Sequence, residues 1–145
     1  MKTSRGKRSA AIVLGVGIDL VENGRMRDAL SKRGASLKSR VFLPREQTYC
    51  EAKAEPWNHY AGRFAVKEAV SKAFGTGVGE HIGWRDIEVV RDSRSGAPSV
   101  RLSAKGAKLA ARRGVHRILV SLAHTRHYAV AQALLVGQAP PGRAP

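Results

Sequence analysis

The sequence predicts an α+β fold: a largely antiparallel sheet packed against one long central helix. Three observations carry this. Segments of strand composition fall into two candidate hairpins, 85–92 with 99–103 and the two halves of 116–136. One helical stretch, from about Trp57 to Phe74, is apolar round most of its circumference, as a helix enclosed on several sides must be. Strands and helices are mixed along the chain, with no internal repeat and no linker that divides it.

The elements follow in order. Residues 1–10 read as a disordered basic arm. The apolar run after them imitates a signal peptide, but Asp19 breaks it and no small-residue cleavage site follows. "AIVLGVGIDLV" (11–21) has the β-branched content and length of a buried strand, with Asp19 at or just beyond its carboxyl end. "GRMRDALSKR" (24–33) suits a short basic helix. In "LPREQTYCEAK" (43–53), Pro44 and Glu46 mark a helix start. Pro56 separates that piece from the long helix, which the glycines of "GTGVG" (75–79) stop. "SRSGAP" turns the chain between strands 85–92 and 99–103. Ser103 can cap a helix that Gly114 closes. Two strands then flank a turn at 125–127, with Ile118, Val120, Leu122 and His124 on one face of the first. Residues 11–136 form a single domain, and the Pro- and Gly-rich stretch 137–145 reads as a disordered tail.

Bulk properties narrow the function. The chain has 145 residues, 43% of them apolar, which is enough for one domain with a real core. No apolar run approaches the roughly 20 residues that span a bilayer. Cys50 is the sole cysteine, so no intrachain disulfide forms and a reducing cytoplasm suits the chain. The net charge is +15, and nine Lys or Arg lie beyond the last acid, Asp92. Such a field attracts polyanions: nucleic acid, anionic lipid, an acidic protein or a phosphorylated small molecule. It also serves solubility alone. Aromatic residues are 6% of the chain and are not interleaved with the basic clusters, which argues against nucleic acid.

The long helix holds a puzzle. In "RFAVKEAVSKAFGTG" (63–77), Glu68 and Lys72 point the same way as Trp57, Ala61 and Phe64. On a wet face an i, i+4 Glu–Lys pair is an ordinary salt pair of about 0.2–0.5 kcal/mol. Here Trp57 and Phe64 flank Glu68, and a buried unpaired carboxylate costs several kcal/mol. A second acid nearby is tolerable only with a cation between them. Two carboxylates with phosphate oxygens are a usual setting for Mg²⁺. Asp19, otherwise a turn or cap residue, is the candidate partner of Glu68. Gly75, Gly77 and Gly79 allow close approach to phosphate, or simply cap the helix; this is no P-loop, because the Lys-Ser/Thr ending is missing. "SLAHTRHY" (121–128) gathers polar donors at a strand end that could hold phosphate, and no G-x-S-x-G elbow or H-E-x-x-H motif accompanies it.

Taken together, "GVGIDLVENGRM" (15–26), "RFAVKEAVSKAFGTG" (63–77) and "VSLAHTRHYAVA" (120–131) resemble the three signatures of the holo-acyl-carrier-protein synthases, the short type of 4′-phosphopantetheinyl transferase. The resemblance covers most of 11–136. It implies the 4′-phosphopantetheinyl transferase fold and a reaction. Coenzyme A donates its 4′-phosphopantetheine arm to a serine of an apo acyl carrier protein, and adenosine 3′,5′-bisphosphate leaves. It implies Mg²⁺ held by Asp19 and Glu68, with Lys72 near the phosphates as a further catalytic residue. Arg63, Lys72, Gly75, Gly77, His124 and Thr125 fall where the family contacts coenzyme A. Arg25 matches the arginine that docks the small, acidic carrier; beyond what the resemblance implies, Arg27, Lys32 and Arg33 are expected to extend that surface. The family implies a homotrimer with coenzyme A in clefts between subunits. Three positions depart from the signatures. Asn23 and Gly24 are expected to weaken the start of the docking helix, and Ala123 replaces a common hydroxyl residue, so one phosphate contact is expected to be missing. The alternatives are a nucleic-acid-binding module and an idle trimeric scaffold; the presence of Asp19, Glu68 and Lys72 argues against the second.

Overall fold

A computed structural model describes residues 10–138; the expected arm and tail lie outside them, apart from Ala10, Gly137 and Gln138. The order is β1 (Ile12–Glu22), α1 (Asn23–Val41), α2 (Pro44–Glu51), α3 (Pro56–Ala73), a 3₁₀ turn (Trp84–Asp86), β2 (Ile87–Arg91), β3 (Pro98–Leu102), α4 (Ala104–Arg112), β4 (Val115–His124) and β5 (Tyr128–Gly137). One sheet has the order β1-β5-β4, the other pairs β2 with β3, and every pairing is antiparallel. This is the expected α+β fold. Both hairpins form where turn chemistry places them.

Helix α3 crosses one face of the three-stranded sheet and touches all three strands. Small residues set how close it comes. Its row Ala61, Ala65, Ala69 and Ala73 is buried, and it faces a sheet whose central strand buries Ala129, Ala131 and Ala133. On β1 even alanine is too large. A Cβ on Gly17 would lie 1.8 Å from the Ala69 carbonyl oxygen, and one on Gly15 would lie 2.1 Å from that of Ala73. This contact fixes the height of β1, and with it Asp19, against α3. Larger apolar residues, including Val66, Val70, Phe74, Ile82, Ile87 and Leu135, fill the core beyond. A second cluster of Met26, Val41, Phe42, Cys50 and Tyr60 joins α1 and α2 to the start of α3.

Local signals explain most boundaries. Pro44 opens α2, and Glu46 reaches back to accept the Leu43 N–H at 2.9 Å. The Ser103 hydroxyl accepts the Gly106 N–H at the start of α4. Some expectations need correction. Helix α1 does not stop at 33; it bends at Gly34 (φ 30, ψ −111) and runs on to Val41. Gly34 before a stretch of mixed polarity gives no signal to continue, but Val41 is buried and Leu37 packs on the second cluster. Strand β2 starts later than expected, because Asp86 accepts the Gly83 N–H at 2.7 Å and rolls 84–86 into a 3₁₀ turn. Asp19 lies inside β1, opposite Ala131 of β5, and not at or beyond the strand end.

Candidate active site

Asp19 and Glu68 line one cleft of about 520 Å³ between β1, α1 and α3, with Arg25, Met26, Leu37 and Phe64 on its other walls. Asp19 is placed by β1 and Glu68 by α3, the two elements that glycines bring into contact. Lys72, one turn beyond Glu68, does not pair with it. Its Nζ donates to Asp19 Oδ1 at 2.8 Å and to the Ile18 carbonyl at 3.2 Å. Glu68 Oε1 accepts the Trp84 indole N–H at 2.8 Å. Glu68 is half-buried and Lys72 is exposed, so the expected burial of this face is only partial. The aromatic flank also differs. Phe64 and Trp84 lie together at 6.1 Å, while Trp57 lines a different cavity with Asn58, Arg126 and His127.

The fully buried charges of α3 are elsewhere. Lys67 Nζ donates to Glu46 Oε1 at 2.7 Å, to the Trp84 carbonyl at 2.9 Å and to the Ile87 carbonyl at 2.5 Å. Glu46 Oε2 accepts the Val89 N–H at 3.1 Å. Burial pulls the Lys67 ammonium below the usual lysine range, while Glu46 acts in the opposite direction.

Arg63 is 4% exposed and belongs to a basic pocket on another side of α3. Its guanidinium lies 3.9 Å above the Tyr49 ring, and Lys53 lies 4.6 Å from the same ring. Arg91 donates to the Tyr49 hydroxyl at 2.8 Å. The cavity of about 640 Å³ also takes in Arg45 and Arg101. A smaller one shares Arg63 and Arg91 and reaches His59 and His124, whose rings are 6.0 Å apart. Burial, and then neighbouring cations, hold both histidines below the ordinary imidazole range. His124 ends β4 and sits where a side chain on Gly62 would be: a Cβ there would lie 2.6 Å from its ring. The Arg63 Nε has no protein partner. Five basic side chains line the larger cavity, together with Glu46, Glu88 and Asp92.

The remaining residues occupy the loops. Gly75 and Gly77 have φ of 77 and 64, with nothing within 4 Å of a Cβ at either. Their N–H groups bond the Lys72 and Ser71 carbonyls and so close α3. They offer a ligand open space rather than donors. The Thr125 hydroxyl accepts the Tyr128 N–H at 3.0 Å and shapes the β4–β5 turn. Asn23 is buried and ties the start of α1 to the β4–β5 turn: its Nδ2 donates to the Thr125 and Arg126 carbonyls, while its Oδ1 finds no protein partner and does not cap the helix. Arg25 then projects from the exposed side of α1 at the cleft wall.

The acidic cleft has a donor set that suits a hard divalent cation. Among the described residues no group of three or more His, Cys, Asp or Glu forms a metal cage. Two carboxylates share the cleft, one oxygen of each is held by Lys72 or Trp84, and no protein hydrogen bond among the described residues engages Asp19 Oδ2 or Glu68 Oε2. An ion there would complete its shell with water or substrate oxygens, as Mg²⁺ commonly does.

Trp84, Lys67, Glu46, Gly62, Tyr49, His59 and Arg91 were not anticipated as site residues. Of these, "VKEAV" alone carried a signal: a lysine at 67 on a helix judged enclosed needs a buried acid.

Comparison with known proteins identifies the family. The family model of the 4′-phosphopantetheinyl transferase superfamily matches residues 15–133. A holo-[acyl-carrier-protein] synthase of Desulforudis audaxviator is 43% identical over 126 residues, 87% of this chain and 95% of that protein. The crystal structure of holo-[acyl-carrier-protein] synthase from Neisseria meningitidis superposes with a TM-score of 0.80 at 27% identity, covering 86% of this chain and 98% of the other. That of a holo-(acyl-carrier-protein) synthase from Bacillus anthracis, in complex with CoA (3′,5′-ADP), superposes with a TM-score of 0.72 at 32% identity, covering 89% and 100%. With its signatures folded into one cleft and one basic pocket, the chain belongs to the holo-acyl-carrier-protein synthases of the 4′-phosphopantetheinyl transferase superfamily, and it is a transferase.

Proposed function

We propose that the chain moves 4′-phosphopantetheine from coenzyme A to a serine hydroxyl of an apo acyl carrier protein, with Mg²⁺ held by Asp19 and Glu68. The observation that carries this reading is that Asp19, Glu68 and Arg25 line a single cleft beside Lys72. When bound, Mg²⁺ would neutralise the diphosphate and polarise the phosphoryl group as a Lewis acid. The serine oxygen forms the new P–O bond, the anhydride P–O bond breaks, and adenosine 3′,5′-bisphosphate leaves. Glu68, or a water that the ion would carry, is the candidate base for the serine proton. Lys72 follows the negative charge from Asp19 to the departing phosphate and stabilises or protonates it.

The basic pocket holds the nucleotide end. Arg63 and His124 face its phosphates, and Gly75, Gly77 and Thr125 border the bound molecule. Within one protomer this pocket and the acidic cleft are separate cavities. On the sheet face away from α3, Val16, Ile18 and Leu20 are 57%, 62% and 61% exposed, and Leu119 of β4 lies uncovered as well. We infer a homotrimer in which these faces are buried and coenzyme A bridges the acidic cleft of one subunit and the basic pocket of the next. An acidic carrier of fatty-acid, polyketide or peptide-synthetase type docks on Arg25 and the basic exposed face of α1. No described helix is long and apolar enough to cross a membrane.

Mass spectrometry of an apo carrier incubated with coenzyme A and Mg²⁺ tests the reading. The carrier should gain one phosphopantetheine. Asp19→Ala and Glu68→Ala should each abolish the gain, and added Mg²⁺ should not restore it. No gain across a panel of carriers would overturn the transferase; full activity in either variant would remove the metal site.

A further inference from the structure

Trp84 is not part of the three signatures, yet it makes the one protein hydrogen bond to the Glu68 side chain among the described residues. Its own position is fixed from several sides. The buried Lys67 ammonium grips its carbonyl at 2.9 Å and that of Ile87, at the other end of the 3₁₀ turn. Glu46 holds Lys67 in turn and is anchored by the Leu43 and Val89 N–H groups. Asp86 closes the same turn through the Gly83 N–H and the Ser103 hydroxyl. The ring rests near Phe64, a wall of the cleft. Adjacent residues of α3 thus share one tryptophan: Lys67 takes its backbone and Glu68 takes its indole.

We propose that Trp84 is a positioning residue for the metal site, and that its indole N–H sets the orientation of the Glu68 carboxylate for a divalent cation. An indole nitrogen is a donor only, so it cannot compete for the ion. By occupying Oε1 it leaves Oε2 for single-oxygen ligation, which suits an ion that keeps several waters. A clamped donor also removes rotamer freedom from Glu68 before the ion arrives. Groups that orient metal ligands in this way are typically worth about 10–100-fold in metal affinity. The proposal rests on the assignment of Glu68 as a metal ligand.

The test uses Mn²⁺ titrated into the full chain saturated with coenzyme A, with free Mn²⁺ read by electron paramagnetic resonance. Coenzyme A without protein serves as the blank for ion bound by coenzyme A alone, and Glu68→Gln tests the metal site itself. Two variants remove the donor: Trp84→Phe, and replacement of Trp84 by benzothienylalanine, which keeps the ring shape and loses only the N–H. Both should weaken Mn²⁺ binding by about 10–100-fold and raise the KM for Mg²⁺. Coenzyme A affinity and turnover at saturating Mg²⁺ should be kept. In a Trp57→Phe background, Mn²⁺ should quench the Trp84 emission. Mn²⁺ affinity of the benzothienylalanine protein within twofold of the parent would overturn the positioning role. Parent-like Mn²⁺ binding by Glu68→Gln would instead overturn the metal site, and the positioning role with it.

Discussion

Replacing Lys67 with Met would leave Glu46 buried without its counter-charge. Both side chains are almost wholly buried, at 0% and 1% exposure. The Lys67 ammonium satisfies one carboxylate oxygen and two backbone carbonyls, so Met strands three acceptors at once. Breaking a buried pair from one side costs about 3–5 kcal/mol. Against a typical domain stability of about 5–15 kcal/mol, that is a fifth or more. At this chain length it corresponds to a fall in Tm of about 6–20 °C. Urea unfolding followed by circular dichroism, at one fixed protein concentration so that subunit association does not intrude, measures it. Glu46→Gln added to Lys67→Met should recover part of the loss, because the charge is gone and an amide oxygen can still accept a backbone N–H. A loss within about 0.5 kcal/mol, the range of an ordinary surface substitution, would refute the reasoning.

Other expectations concern ligands and pH. Arg25→Ala should slow carrier association and flatten its salt dependence, with coenzyme A binding little changed; stopped-flow at several ionic strengths separates the two. The two pocket histidines set a direction with pH. His59 and His124 titrate below the ordinary range near 6.5, so on acidification the unfolded chain takes up protons first. Their contribution to stability is therefore intact above about pH 6.5 and is lost as pH falls through it. An anionic ligand in the same pocket favours the protonated form. Coenzyme A should thus bind with proton uptake and more tightly as pH falls from about 8 toward 6. Calorimetry in buffers of different ionisation enthalpy reads this, and the uptake should shrink in His124→Asn.

Local signals made most of the fold legible. The hairpins rest on turn chemistry and alternation, α4 on Ser103 and Gly114, and α3 on its rows of alanine and valine, all within short windows of sequence. The second half of α1 was not legible, because Leu37 and Val41 gain their reason to be helical only from packing that forms across the chain. The site divides in the same way. Asp19 and Glu68 could be linked by chemistry, since a carboxylate on an apolar helix needs a cation and a second ligand, and both line one cleft. The neighbours of Glu68 could not be read from helical phase. Phase nominated Trp57, but the tryptophan that binds it comes from 16 residues further on, through a 3₁₀ turn that no periodicity marks. The pairing of Glu46 with Lys67, 21 residues apart, escaped for a related reason. Lys67 on an enclosed helix calls for an acid, but Glu46 alone suits a wet helix face, and only the tertiary fold brings the two together.

Crystals grown with coenzyme A and Mn²⁺, measured at the manganese edge, offer the most direct look at the acidic cleft. One anomalous peak within coordination distance of both Asp19 and Glu68, touching the diphosphate, is the expected result. A peak bound to neither carboxylate, or a diphosphate seated in another cavity, would contradict a two-carboxylate site.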